Sequence, residues 1–141
     1  MNFEDTLKVG AKVYNVGYLQ IGDRCYAMND DGTPNFDDVD DDIQKGFDEN
    51  GNAIEVKDLR FLDFGKCIIL PNTSARSVTL FDGKQYVYSY ELIAPLSKRK
   101  YYLLPKEGDK VWITKKDSTI DRQMEVKGFV TYKKRYLKLW L

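Results

Sequence analysis

Apolar and polar residues alternate in short runs along most of this chain, the period of a strand with one buried face. The alternation predicts strands over residues 12–16, 24–28, 66–70, 77–81, 85–93, 100–104, 110–114, 124–132 and 135–141. Turn-forming groups separate them: Ile21-Gly22-Asp23, Asp30-Asp31-Gly32, Asn50-Gly51, Asp82-Gly83 and Glu107-Gly108-Asp109. Phe81-Asp82-Gly83-Lys84, set between two alternating runs, predicts a hairpin. Many short strands with frequent turns point to a mainly β protein, a sandwich or small barrel rather than a parallel sheet with crossover helices.

One segment changes period. Over 35–47 the apolar residues Phe36, Val39, Ile43 and Phe47 are three, four and four apart, which places them on one helical stripe. Asn35 suits the amino-terminal cap, the aspartates favour the positive end of a helix, and Gly46 suits its carboxyl end. The prediction is one short acidic helix, inserted with its flanks at about 30–63.

A repeat organises the rest. Lys8-Val9-Gly10-Ala11-Lys12-Val13-Tyr14 matches Lys106-Glu107-Gly108-Asp109-Lys110-Val111-Trp112 as Lys-x-Gly-x-Lys-Val-aromatic. Val78-Thr79-Leu80 and Val130-Thr131-Tyr132 echo each other further on. The reading is a first β unit over 1–96, carrying the helical insertion, and a smaller second unit over 97–141. These openers look like the first strand of small SH3-like barrels. Glu107-Gly108-Asp109-Lys110-Val111, with the later Lys127-Gly128-Phe129-Val130, resembles the KOW-type version. The chain departs from that pattern at Ile113-Thr114-Lys115-Lys116-Asp117, which lacks the expected glycine. The resemblance implies two SH3-like barrels or one merged barrel or sandwich, binding protein or nucleic acid without chemistry. It also brings in phage and mobile-element proteins, where such barrels serve as connectors, tail parts and host-defence inhibitors.

Composition narrows the chemistry. The chain of 141 residues has no histidine, which removes the commonest general base and the commonest metal ligand. Its two cysteines, Cys25 and Cys67, sit in apolar runs and read as buried free thiols. They are too few for a zinc site of the usual kind. An EF-hand with Gly51 at its sixth position would put Gly46 first and Lys57 last, where carboxylates are required. No cofactor, metal or catalytic residue is expected, and the chain is read as non-enzymatic. The amino end shows no signal peptide and no apolar run is long enough to span a membrane, so a cytoplasmic or virion protein is expected.

The formal charge is zero, but residues 1–70 hold 7 Lys and Arg against 15 Asp and Glu, a net of −8. Residues 71–141 hold 15 against 7, a net of +8. Such a split means two partners of opposite sign, or two halves that attract each other. Three candidate surfaces follow. Asp37, Asp38, Asp40, Asp41 and Asp42 form either a partner-facing acidic patch, a metal-catching group or merely the solvated face of a docked helix. Lys98, Arg99, Lys100, Tyr101, Tyr102, Lys115, Lys116, Lys133, Lys134, Arg135 and Tyr136 interleave cations with rings, as a nucleic-acid or acidic-partner surface does. Tyr86, Tyr88 and Tyr90 share one strand face and form either an aromatic platform or core packing. The segment 136–141 is apolar enough to be a paired strand, and at an edge it would invite a partner chain or a second copy. The leading expectation is a protein-binding module, with nucleic-acid binding through 98–138 as the alternative.

Overall fold

A computed structural model of the chain describes residues 2–79 and 83–141. Among these residues twelve strands succeed one another: β1 (Asp5–Tyr14), β2 (Tyr18–Ile21), β3 (Arg24–Met28), β4 (Pro34–Val39), β5 (Val56–Pro71), β6 (Ser77–Thr79), β7 (Gln85–Val87), β8 (Tyr90–Pro95), β9 (Lys110–Thr114), β10 (Asp121–Glu125), β11 (Gly128–Tyr132) and β12 (Tyr136–Trp140). Two 3-10 turns, Asp41–Lys45 and Lys98–Leu103, complete the described elements. The mainly β expectation holds: ten strands form one antiparallel sheet, and β6 and β7 pair apart from it.

β1 organises the sheet. In β1, Leu7, Val9, Ala11 and Val13 turn one buried face inward, the period-two pattern of a half-buried strand. One edge pairs with β5 from Asp5↔Cys67 to Tyr14↔Val56. The other edge is shared, with β9 taking Thr6 to Val9 and β2 taking Lys12 and Val13. The handover falls at Gly10, where a Cβ would lie 2.6 Å from the Lys110 carbonyl oxygen. Only glycine lets the backbones approach so closely. Gly108, its counterpart in the repeat, serves another need, a turn at φ 88°.

From β1 the sheet curls. The last residues of β5 leave β1 and pair with β8, from Ile68↔Ile93 to Pro71↔Tyr90. β8 pairs with β12, and β12 with β11. On the other side β9 pairs with β10. The chain crosses between these arms at one corner: Val126 N–H donates to Asp109 O (2.9 Å) and Lys127 N–H to Trp140 O (2.8 Å). The curl encloses one buried cluster that includes Leu7, Val9, Ile69, Leu92, Val111, Ile113, Leu137 and Leu139. Residues from both sides of position 96 contribute to it, and the two Lys-x-Gly-x-Lys-Val-aromatic segments pair with each other at Val9↔Val111. Both thiols are free and buried, and burial pushes that of Cys67 up to about 12, with the Asp5 carboxylate adding to the rise.

Several expectations are corrected. The stretch 35–47 is not a helix: it is β4, which pairs with β3, followed by the 3-10 turn Asp41–Lys45. Aspartate prefers capping to helix interiors, and Asp40 does cap, accepting from Asp42 N–H at 3.1 Å. Phe36 leaves the anticipated stripe to meet Tyr26 edge-on at 5.1 Å and to stack on Tyr102 at 4.9 Å. Phe47 is 68% exposed, so no helical stripe is buried. The strand expected over 100–104 is the second 3-10 turn. The run 85–93 breaks into β7 and β8, because Ser89 and Tyr90 N–H both turn to Leu141 O. β12 is no edge strand, being flanked by β11 and β8. The hairpin expected at 81–84 falls largely outside the described residues, as does the end of the strand expected over 77–81.

Asp5, 6% exposed, pins three segments together: its carboxylate accepts from Ile69 N–H (2.9 Å) at the point where β5 leaves β1, and from Lys116 N–H (3.0 Å) after β9. Asp5→Ala leaves both N–H groups without their acceptor and is expected to lower the unfolding free energy by about 3 kcal/mol. Urea denaturation measures this. A loss below about 0.5 kcal/mol contradicts the pinning role.

Candidate interaction surface

The register of four strands builds one face of the sheet. Residues paired directly across strands point to the same side; on β5, β8 and β12 the inward set is Ile69, Leu92, Ala94, Leu137 and Leu139, and β11 places the exposed Phe129 and Thr131 on that side. The outward set forms three rows. Tyr132, Tyr136 and Pro95 make the first, and the Phe3 ring lies 6.3 Å from that of Tyr136. Val130, Lys138, Ile93 and Ile68 make the second. Gly128, Trp140, Glu91 and Leu70 make the third. Tyr132 (49%), Tyr136 (43%) and Leu70 (41%) are open to solvent, and Val130, Ile93, Ile68 and Trp140 are half-buried. The only charges within the rows, Lys138 and Glu91, form an ion pair, with the Lys138 ammonium 5.3 Å from the centre of the Trp140 ring. This face is therefore apolar, aromatic and internally neutral.

Cations gather at its first row. Tyr132 and Tyr136 are joined by Lys133-Lys134-Arg135, a turn centred on Lys133-Lys134 and closed by Arg135 N–H donating to Tyr132 O at 2.9 Å. The next strand end is tied to this tip, since Leu96 N–H donates to Arg135 O at 2.7 Å, and Lys98 and Arg99 follow directly. None of Lys98, Arg99, Lys133, Lys134 and Arg135 forms an ion pair with a described residue. Lys133 and Lys134 hold φ values of 50° and 56°, the left-handed region that Asn and Gly occupy at little cost.

Other expected cations have internal duties. Lys100 sits 5.2 Å from the Phe64 ring centre, Lys115 Nζ donates to Ile69 O (3.4 Å), and Lys116 pairs with Glu4 at 3.2 Å. Tyr101 packs against the core with a buried hydroxyl that finds no partner among the described residues. The aromatic platform does not assemble: Tyr86 reaches toward Glu107 (3.3 Å), Tyr88 is buried, and Tyr90 packs against the core.

The five aspartates share a corner but not a helix face. Asp37 and Asp38 are exposed on β4, Asp40 caps the 3-10 turn, Asp41 accepts from Cys25 N–H (3.0 Å), and Asp42 pairs with Lys45 (3.0 Å). Burial first, and then the charges of Asp38 and Asp40, push the Tyr18 hydroxyl above its ordinary value. Among the described residues, no carboxylate of 37–42 forms an ion pair with a cation of 98–138, and no group of three metal-binding side chains occurs. The rows of the outward face, above all Trp140, Lys138, Ile93 and Ile68, were not anticipated. Tyr136-x-Lys138-x-Trp140 is legible as a strand face, but the rows it joins also draw on the distant segments β8 and β5.

A second feature is a cleft of about 350 Å³ lined by Gly10, Lys12, Gln20, Gly22, Asp109 and Lys110 among others. Asp109 is 8% exposed and accepts from Lys106 N–H at 3.0 Å. Burial pushes its carboxyl above the ordinary value, against the pull of that bond and of the Lys106 and Lys12 charges. No helix among the described residues is long and apolar enough to cross a membrane. Compared with protein-family models, curated proteins and solved structures, the chain matches none of them.

Two measurements test these local assignments. Replacing the strained turn by Lys133→Asn with Lys134→Gly removes a left-handed penalty of about 1 kcal/mol and is expected to raise stability by that order. An unchanged or lower urea midpoint contradicts it. For Asp109, the folded chain holds the proton more tightly than the unfolded chain, so its contribution to stability falls as pH rises through the folded pKa. Asp109→Asn is therefore expected to gain stability relative to the parent as pH rises from about 3.5 to about 7. A pH-independent difference contradicts the burial effect.

Proposed function

We propose that this chain is a non-enzymatic protein-binding module, and that the outward face of β5, β8, β12 and β11 is its binding surface. One observation carries the reading: four strands hold Tyr132, Tyr136, Val130, Ile93, Ile68, Trp140 and Leu70 on one side, at least partly open to solvent. Contiguous apolar surface of this kind marks contact sites on soluble proteins. Tyr, Trp and Arg are the residues that dominate binding energy at such sites. The internal Lys138–Glu91 pair keeps the centre free of unpaired charge, which a desolvated interface requires. A phage connector or a host-defence inhibitor would use a surface of this type, and both remain members of the proposed class.

The cationic tip supports a second reading. Arg99, Lys133, Lys134 and Arg135, beside the open rings of Tyr132 and Tyr136, present the charges and stacking surfaces that single-stranded nucleic acid needs.

A photo-reactive residue placed at 136, with a control at the exposed Val87, separates these in the producing cell. The protein-binding reading expects a discrete protein adduct at 136 and none at 87. Adducts that are nuclease-sensitive, with no protein species, favour the nucleic-acid reading. An identical adduct pattern at both positions overturns the assigned surface.

A further inference from the structure

Resting on the reading of this face as a protein-binding surface, we infer that its partner is a second copy of this chain, docked head to tail through the acidic corner formed by β4 and the Asp41–Lys45 turn. The two surfaces complement each other in charge and in apolar content. The corner presents Asp37, Asp38, Asp41 and Asp42 to solvent, together with Val39 (37% exposed) and the Phe47 ring. The receiving face offers Trp140, Ile93 and Tyr136 as apolar ground, rimmed by Lys98, Arg99, Lys133, Lys134 and Arg135. Each charged surface thus also carries apolar side chains at least partly open to solvent.

Folding leaves both sets unsatisfied within one molecule. The unmet demand is for opposite charge: Asp41 accepts from Cys25 N–H and Asp38 from the Tyr18 hydroxyl, Asp42 pairs only with its neighbour Lys45, and none of the tip cations has an ionic partner among the described residues. The −8 and +8 halves do not neutralise each other through these groups, so the complementary pairing is left to another molecule. Among the described residues, the outer edge of β4 has no strand beside it in the sheet order, which leaves the corner approachable. Because the two surfaces differ, the contact is heterologous. Each pair keeps one free acidic corner and one free basic face, and the geometry yields a ring or an open chain rather than a closed two-fold dimer.

Sedimentation velocity of the full chain provides the test. Self-association that grows with concentration and weakens as salt rises from about 0.05 to about 0.5 M is expected, since a contact rimmed by exposed charge is screened over a Debye length. Two charge-reversed chains sharpen it. Lys134→Glu with Arg135→Glu disables the basic face, and Asp37→Lys with Asp38→Lys disables the acidic corner. These positions are exposed, and circular dichroism confirms that each chain is folded. Each alone is expected to be monomeric, because one surface of every contact is lost. Mixed one to one, they are expected to associate again, the intact corner of one seated on the intact face of the other. A parent chain that stays monomeric at low salt overturns the second-copy inference, while the adduct at position 136 still decides whether the face binds another protein. Self-association that persists in both reversed chains also overturns it, because the contact then lies elsewhere.

Discussion

Strand β1 has more neighbours than a strand ordinarily serves, and the remaining sheet follows from how that is arranged. Its one edge runs against β5 throughout, while its other edge passes from β9 to β2 around Gly10. The handover works because Gly10 brings no side chain against the Lys110 carbonyl, and because Asp5 anchors the strand's start to β5 and to the segment after β9. A buried carboxylate is tolerable where N–H donors satisfy it. Here the donors belong to segments 64 and 111 positions away, so the interaction also ties the ends of the chain's order together.

That arrangement decides which surfaces remain for other molecules. With β1 at the centre, the inward side chains of β5, β8, β9 and β12 converge on one core, and of the outward ones of β5, β8, β11 and β12, Leu70, Tyr132 and Tyr136 stay open to solvent. The outward rows therefore stay partly open even though their residues are as apolar as many core positions. The charges obey a different rule. An exposed ion pair is worth at most about 1 kcal/mol, too little to draw the acidic corner onto the basic tip against a fold set by strand pairing. Both charged surfaces are left standing on the outside.

Lys133 and Lys134 illustrate how a local choice can run against the fold while serving its surface. Asn-Gly would close the β11–β12 hairpin with less strain. Two lysines close it instead and place their charge beside Tyr132 and Tyr136, at the end of the apolar rows.

Strands whose side chains alternate cleanly were legible from residue order: Lys110-Val-Trp-Ile-Thr and Tyr136-Leu-Lys-Leu-Trp each carry their own burial pattern, because period two is a property of a single strand. The buried thiols and the mainly β class were legible for the same reason. The long β5 was not, since Val56-Lys-Asp-Leu-Arg is polar and becomes a strand only because β1 supplies its hydrogen-bond partners. The segment 35–47 misled, because a helical spacing of Phe36, Val39, Ile43 and Phe47 says nothing of the Tyr26 and Tyr102 rings waiting for Phe36. Nor could residue order reveal the outward face. Ile68, Ile93, Val130 and Lys138 are neighbours only through the register of four strands, and register is set by which strands the core brings together. Alternation along the chain determined the strands that bury their own pattern, and the tertiary structure alone decided which outward residues stand side by side.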